Sequence, residues 1–146
     1  MTLTQAQRDS ITESFTWLNK QQIGFATFFY DCLFDLSPLI KPLFMSDRQL
    51  IEKHFFTIFC TAVENINAFE NLRPALLALG QRHAQYGVKH NQFATVKSAL
   101  IIAIQHELKG RCTAFVEAAW SQYYDLLAAV IQEGMQLEPE DITSTA

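Results

Sequence analysis

The sequence predicts an all-α protein of one domain, and three observations lead to that prediction. Chain-breaking residues are few, with 5 glycines and 4 prolines in 146 residues, which favours long helices over many short strands. Apolar residues recur at the three- and four-residue spacing of amphipathic helices, and no stretch alternates with the period of two that a half-buried strand requires. The chain is also long enough to bury a substantial core as one unit.

Composition and charge exclude several classes of protein. Hydrophobic residues make up 49% of the chain and charged residues 18%, a balance typical of a folded globular domain. The net charge is −4, and no basic stripe is available to neutralise phosphates, so we expect no nucleic-acid partner. Apolar stretches such as residues 55–63 are far shorter than the about 20 residues that span a bilayer. We therefore expect no membrane insertion.

The termini and the cysteines indicate a cytoplasmic location. Residues 1–10 do not have the charged and then apolar pattern of a signal peptide. Cys32, Cys60 and Cys112 are odd in number, widely spaced and set in apolar or helical surroundings. We expect them to be reduced and buried rather than part of a disulfide framework.

The first three helices begin at recognisable signals. Thr4 followed by Gln7 is the signature of a capping box, and a second helix is predicted over residues 21–36. The serine and proline at residues 37–38 supply an N-cap and a first-turn proline for a short helix that ends near Phe44.

The fourth and fifth helices each carry a histidine on an apolar stripe. Ser46 is the expected N-cap of the fourth helix, along which Leu50, His54 and Ile58 recur every four residues. The fifth helix lies between residues 74 and 87, and His83 shares its stripe with Leu76 and Leu79.

The remaining helices complete the domain. One is predicted over about residues 91–108 and the last over about residues 113–136, which makes about seven helices in all. The acidic, polar residues 138–146 are predicted to be a frayed tail, so the domain covers residues 1–137.

The two histidine stripes suggest a site that binds a metal. An imidazole among apolar residues needs a partner for its ring nitrogens, and a metal is one such partner. Zinc would lack its third and fourth ligands, whereas haem supplies four ligands from its own ring and needs only one or two histidines. The pattern alone leaves open that each histidine is an ordinary core residue.

The segment LGQRHAQYGVKHNQFATV, residues 79–96, resembles the proximal segment of globins, particularly neuroglobin-like and bacterial single-domain globins. FFYDCLF and SPLIKPLF are similar to the second and third globin helices, with Pro38 and Phe44 at their expected places. AAWSQYYDLLAAV is similar to the last globin helix, and ENL at residues 70–72 is also typical. The resemblance covers residues 3–135 and implies a globin fold around a pocket for haem b.

The resemblance assigns His83 as the proximal ligand of the haem iron and Tyr30 as a tyrosine that contacts the bound gas. Phe44 corresponds to the phenylalanine that packs on the haem face. Further residues are expected to line the pocket: Ile58, Leu79, Val88 and Phe93.

Two residues compete for the distal position that faces the gas. Counting 10 residues on from Phe44, or 29 back from His83, reaches His54. Counting 32 back from His83, the spacing of neuroglobin, reaches Ile51. We choose His54, which would either bind iron and give a six-coordinate bis-histidyl resting state, or donate a hydrogen bond to the gas.

The implied function is reversible binding of oxygen, nitric oxide and carbon monoxide, with oxygen binding or transport, or nitric oxide detoxification, as the role. Dioxygenase turnover would need a separate electron-donating reductase. The proximal tyrosine and glutamate of flavohaemoglobins are replaced here by Phe93 and Met135. The alternative is a haem-based gas or redox sensor that acts through a partner protein.

Overall fold

The computed structural model describes residues 2–43 and 47–137, and within them every regular element is a helix. The α-helices are α1 Gln5–Asn19, α2 Gln22–Leu36, α3 Arg48–Glu64, α4 Arg73–Gln85, α5 Phe93–Leu108 and α6 Ala114–Gly134. The 3-10 helices are Pro38–Leu43, Phe69–Leu72, His90–Gln92 and Lys109–Arg111. The prediction of an all-α chain is confirmed, and α1–α6 with Pro38–Leu43 account for the seven helices expected. Phe44, Ser46 and the predicted tail lie outside the described residues.

Local capping explains where the first and third α-helices begin. The predicted capping box is present, because Thr4 Oγ1 accepts from the Gln7 backbone N–H at 3.1 Å and Gln7 Oε1 accepts from the Thr4 N–H at 2.8 Å. In α3 the cap is Asp47, whose carboxylate accepts from the Gln49 N–H at 2.9 Å.

Within the described ranges, no helix is long and apolar enough to cross a membrane.

The main core lies between α1, α2, α3, α5 and α6, and aromatic rings fill its centre. Phe59 of α3 packs 5.3 Å from Phe25 of α2 and 5.3 Å from Trp120 of α6, measured between ring centroids. The buried Trp120 donates its indole N–H to the Ser14 hydroxyl at 2.9 Å, so its polar atom is satisfied. The core itself therefore explains much of the abundance of phenylalanine.

Helix α4 packs apart from this core. Leu72, Leu76 and Val130 form a second, smaller buried cluster between the start of α4 and α6. The extensive contacts of α4 are made with α6, not with α3 or α5. Helix α4 therefore lies against α6 and is set apart from α3 and α5.

Two glycines allow the backbones of α4 and α6 to touch. A Cβ atom on Gly80 would lie 1.9 Å from the Ile131 carbonyl oxygen, and one on Gly134 would lie 2.2 Å from the Leu77 carbonyl oxygen. Both distances are far below van der Waals contact, so only glycine fits at either position without movement of a helix. The position of α4 is thus set by direct backbone contact with α6.

Candidate functional site

His83 lies near the end of α4, three residues after Gly80, and is half-buried. Its Nδ1 atom is 2.8 Å from the Leu79 carbonyl oxygen. Because a carbonyl only accepts, Nδ1 carries the hydrogen and donates it, and Nε2 is the unprotonated nitrogen. In residues 2–43 and 47–137 no hydrogen-bond partner contacts Nε2.

The surroundings of His83 favour its neutral form. Burial lowers the pKa of His83, and the Arg82 guanidinium acts in the same direction with a smaller effect. The hydrogen bond to Leu79 raises the pKa of His83, but by less than burial lowers it. A neutral imidazole with one nitrogen fixed by a backbone carbonyl presents the other nitrogen as a metal ligand.

The chain reverses just after His83 at a glycine that the turn requires. Gly87 has a φ of 89°, a left-handed conformation that side chains disfavour. The turn lets the Val88 N–H donate to the His83 carbonyl at 3.0 Å. Val88 is half-buried and Phe93, at the start of α5, is buried. These two predicted pocket residues therefore follow His83 closely in the chain.

Tyr30 lies on α2 with 6% of its surface exposed. Burial raises the pKa of its phenol well above the usual range, and the Glu52 carboxylate adds to this while Arg48 opposes it. The hydroxyl therefore stays protonated and acts as a hydrogen-bond donor. Phe29 packs at 4.9 Å and Phe55 at 5.8 Å between ring centroids, both edge to face.

The residue of α3 that packs against Tyr30 is Phe55, which the sequence analysis did not assign to the site. Phe55 also stacks on Phe29 at 4.5 Å. The signal that could have found it is the alternative count to Ile51, because Phe55 lies one helical turn beyond Ile51.

His54 and Ile58 lie on a different face of α3. His54 is exposed and Ile58 is 40% exposed, whereas Ile51 is half-buried and packs against the main core. At 100° per residue, His54 lies on the opposite side of the helix from the buried Glu52 and Phe56. The expected apolar stripe through His54 is thus exposed rather than core-facing, and the choice of His54 over Ile51 stays a prediction.

Four polar residues tie α3 to α2 beside Tyr30, and we call Thr27, Asp31, Arg48 and Glu52 the α2–α3 clamp. The Thr27 hydroxyl donates to Glu52 Oε1 at 2.6 Å, and Arg48 Nε donates to Glu52 Oε2 at 2.8 Å. A second Arg48 nitrogen donates to the Asp31 carboxylate at 2.6 Å and to the Thr27 carbonyl at 3.1 Å. Sequence reasoning missed the clamp because its contacts between α2 and α3 join residues that are 17 to 25 positions apart in the chain.

The sequence model of the globin family matches residues 27–131 of this chain, a stretch that includes both Tyr30 and His83. This match covers well over half of the chain. The chain belongs to the globin family.

Similar globins cover nearly the whole of this chain. Neuroglobin of Dissostichus mawsoni is 26% identical over 95% of this chain and 96% of its own length. An anaerobic nitrite reductase of Oryza sativa subsp. indica is 25% identical over 93% of this chain and 98% of its own. This globin therefore aligns with its relatives over nearly their full lengths.

Solved structures support the same fold. A hexacoordinated haem protein from an anhydrobiotic tardigrade superposes with a TM-score of 0.84 at 19% identity, over 92% of this chain and 96% of its own. An engineered carbene transferase, whose parent is a proposed nitric oxide dioxygenase of Rhodothermus marinus, superposes with a TM-score of 0.85 at 22% identity, over 99% of this chain and 98% of its own. The globin fold of the chain is confirmed.

Membership of the globin family implies a haem cofactor. The residues around His83 fit such a group. His83 presents a neutral imidazole with an open Nε2, and the half-buried apolar residues Leu79 and Val88 lie four residues before it and five residues after it in the chain. An apolar ring system with a central metal suits that combination of one nitrogen ligand and apolar contacts.

Proposed function

We propose that this globin holds haem b through Nε2 of His83 and binds diatomic gases (oxygen, nitric oxide and carbon monoxide) reversibly on the side of Tyr30. The observation that carries the proposal is the 2.8 Å hydrogen bond from His83 Nδ1 to the Leu79 carbonyl. It fixes the tautomer in which Nε2 has its lone pair available. When bound, haem would supply an iron atom that His83 would hold and that could bind a diatomic gas.

On the distal side of the proposed pocket, the Tyr30 hydroxyl is a hydrogen-bond donor among aromatic rings. The protonated Tyr30 hydroxyl donates a hydrogen bond to a polarised gas such as oxygen, which stabilises binding by about 1–3 kcal/mol. Phe29 and Phe55 pack around the Tyr30 ring and keep water from competing for the hydroxyl. Slow release of oxygen is the expected result.

The role that we propose for gas binding is handling of oxygen or nitric oxide. Support comes from the likeness of fold to the engineered protein derived from a proposed nitric oxide dioxygenase. Catalytic turnover requires a separate electron-donating reductase, since the proposed site includes no source of electrons. Oxygen transport, the sensor alternative and a cytoplasmic location stay predictions from the sequence.

The haem ligand is tested by substitution of His83. We expect wild-type protein mixed with haemin to give a haem spectrum that survives gel filtration, and His83→Ala to lose the haem because no other α4 side chain replaces Nε2. His90→Ala is the matched control, since His90 is an exposed histidine in the 3-10 helix that follows. An unchanged spectrum in His83→Ala overturns the assignment.

Whether His54 binds the haem iron at rest is tested by substitution of His54. If His54 binds iron at rest, the reduced wild-type protein has sharp, split visible bands, and His54→Leu converts them to the broad band of a five-coordinate haem. An incoming gas would have to displace His54 from the iron, so carbon monoxide should also combine faster with the variant. A reduced spectrum that is the same in both proteins rules out His54 as an iron ligand and leaves either Ile51 as the distal residue or a distal side that is open at rest.

A further inference from the structure

The centre of the α2–α3 clamp is a buried carboxylate. Glu52 has 9% of its surface exposed, and no other acidic or basic side chain in the described ranges is as deeply buried. Removing a carboxylate from water is unfavourable unless hydrogen bonds compensate for it. Glu52 has that compensation on both oxygens, from Thr27 at 2.6 Å and from Arg48 at 2.8 Å.

The clamp joins two specific stretches of helix. Arg48 is the first residue of α3, and its guanidinium contacts Thr27 and Asp31, which lie one turn apart on α2. Tyr30 lies between these two α2 residues. Phe55, which packs against the Tyr30 ring, follows Glu52 within one turn of α3.

The clamp matters for the orientation of α3 on α2 more than for the stability of the fold. The Arg48 and Asp31 side chains are 43% and 55% exposed, and ion pairs open to water add little to stability, so the clamp is weak evidence for stability. Directional hydrogen bonds do fix the rotation and the register of α3 on α2. Rotation of α3 moves Phe55 and so changes the packing that orients the Tyr30 ring.

We propose that Glu52 is a positioning residue for Tyr30, acting through Thr27 and Arg48 to hold the first turns of α3 against α2. The inference rests on the proposed function, in which the Tyr30 hydroxyl donates to the bound gas. It makes the clamp a determinant of how strongly this globin favours oxygen over carbon monoxide. A donor stabilises the more polarised oxygen more than carbon monoxide.

Gas release from the haem-loaded protein is the first test, with Glu52→Gln and Thr27→Val as variants. Each is expected to raise the dissociation rate of oxygen about three-fold or more, a loss of part of one hydrogen bond, with a change below about two-fold for carbon monoxide. Lys97→Gln is the control, because it breaks the 2.9 Å ion pair with Asp125 between α5 and α6 and leaves the clamp intact. Equal changes for the two gases, or none in both clamp variants, overturn the proposal.

A double variant shows whether the effect passes through Tyr30. Tyr30→Phe alone should release oxygen faster, and adding Glu52→Gln should increase the rate no further, because coupled residues are not additive. Independent, multiplicative effects of the two substitutions overturn the positioning role.

Hydrogen exchange of the haem-free protein separates this inference from the proposed function. Backbone amides of residues 27–33 and 48–56 should exchange faster in Glu52→Gln and Thr27→Val than in the wild type, and at an unchanged rate in Lys97→Gln. Faster exchange in the clamp variants, together with a wild type that takes up no haem, rejects the proposed function and retains the clamp. Unchanged exchange in both variants rejects the clamp even where haem and gas bind.

Discussion

At the scale of single residues, the two nitrogens of His83 have different tasks. Nδ1 donates to the Leu79 carbonyl, and this bond fixes the ring while Nε2 stays available. Burial, which lowers the pKa of His83, keeps the imidazole neutral and hence competent to bind a metal.

The same burial makes the stability of the haem-free protein depend on pH. The pKa of His83 is lower in the folded state than in the unfolded chain, where it is about 6.5. As the pH falls below about 6.5 the unfolded chain takes up the proton first, so the free energy of unfolding decreases until the folded-state pKa is passed. Above that range the contribution is constant.

Urea unfolding at about pH 7.5 and about pH 5.5 measures this effect. His83→Gln keeps a polar side chain of similar size and lacks the titration, so its loss of stability between the two pH values should be smaller than that of the wild type. The same loss in both proteins contradicts the explanation.

Candidate residues in a local motif could be singled out from the sequence, whereas residues whose surroundings depend on a partner helix could not. His83 stands just before the turn at Gly87, and Tyr30 stands on the helix that ends just before Pro38. Glu52 follows Ile51 in an ordinary helical stretch, where an isolated carboxylate is normally solvated. Its burial depends on Thr27, which is 25 residues away, and no local pattern encodes that contact.

At the scale of secondary-structure elements, helix ends were predicted well because caps are local. Thr4 marks the start of α1 as expected, and α5 begins at Phe93, slightly later than predicted, because residues 90–92 form a 3-10 turn. The distance between two helices, in contrast, depends on residues that are far apart in the chain. Nothing in the local sequence marks Gly80 as a point of contact between two helices, whereas the structure shows its backbone close to that of α6.

Replacing two helical glycines by alanine should have opposite effects. Gly80→Ala places a methyl group against the Ile131 carbonyl and should lower the free energy of unfolding by about 1–3 kcal/mol, because α4 must move away from α6. A Cβ atom on Gly24 would meet no other atom within 4 Å, so Gly24→Ala should raise it by about 0.5–1 kcal/mol through helix propensity. Urea denaturation of the two variants tests both signs. A Gly80→Ala variant as stable as the wild type would contradict the close contact.

At the scale of the whole molecule, the described residues form two buried clusters, and Tyr30 and His83 stand on helices of different clusters. The main core carries Tyr30, whereas His83 belongs to the helix that packs on α6 through the smaller cluster. Periodicity predicted the number and class of the helices because it reports which face of each is apolar. It did not predict which helices share a cluster, since any apolar face can pair with several others. For that reason periodicity alone could not decide between His54 and Ile51 on α3, and the choice of His54 stays a prediction.

The glycine contact between α4 and α6 also sets an order of events during synthesis. Helix α4 leaves the ribosome well before α6, and Gly134 lies at the very end of α6. Until that last turn emerges, α4 lacks the backbone surface on which it docks, so His83 has no fixed place. The helix that carries His83 can therefore complete its docking only at the end of synthesis, and we expect a chain that stops before Gly134 to hold α4 less firmly on α6.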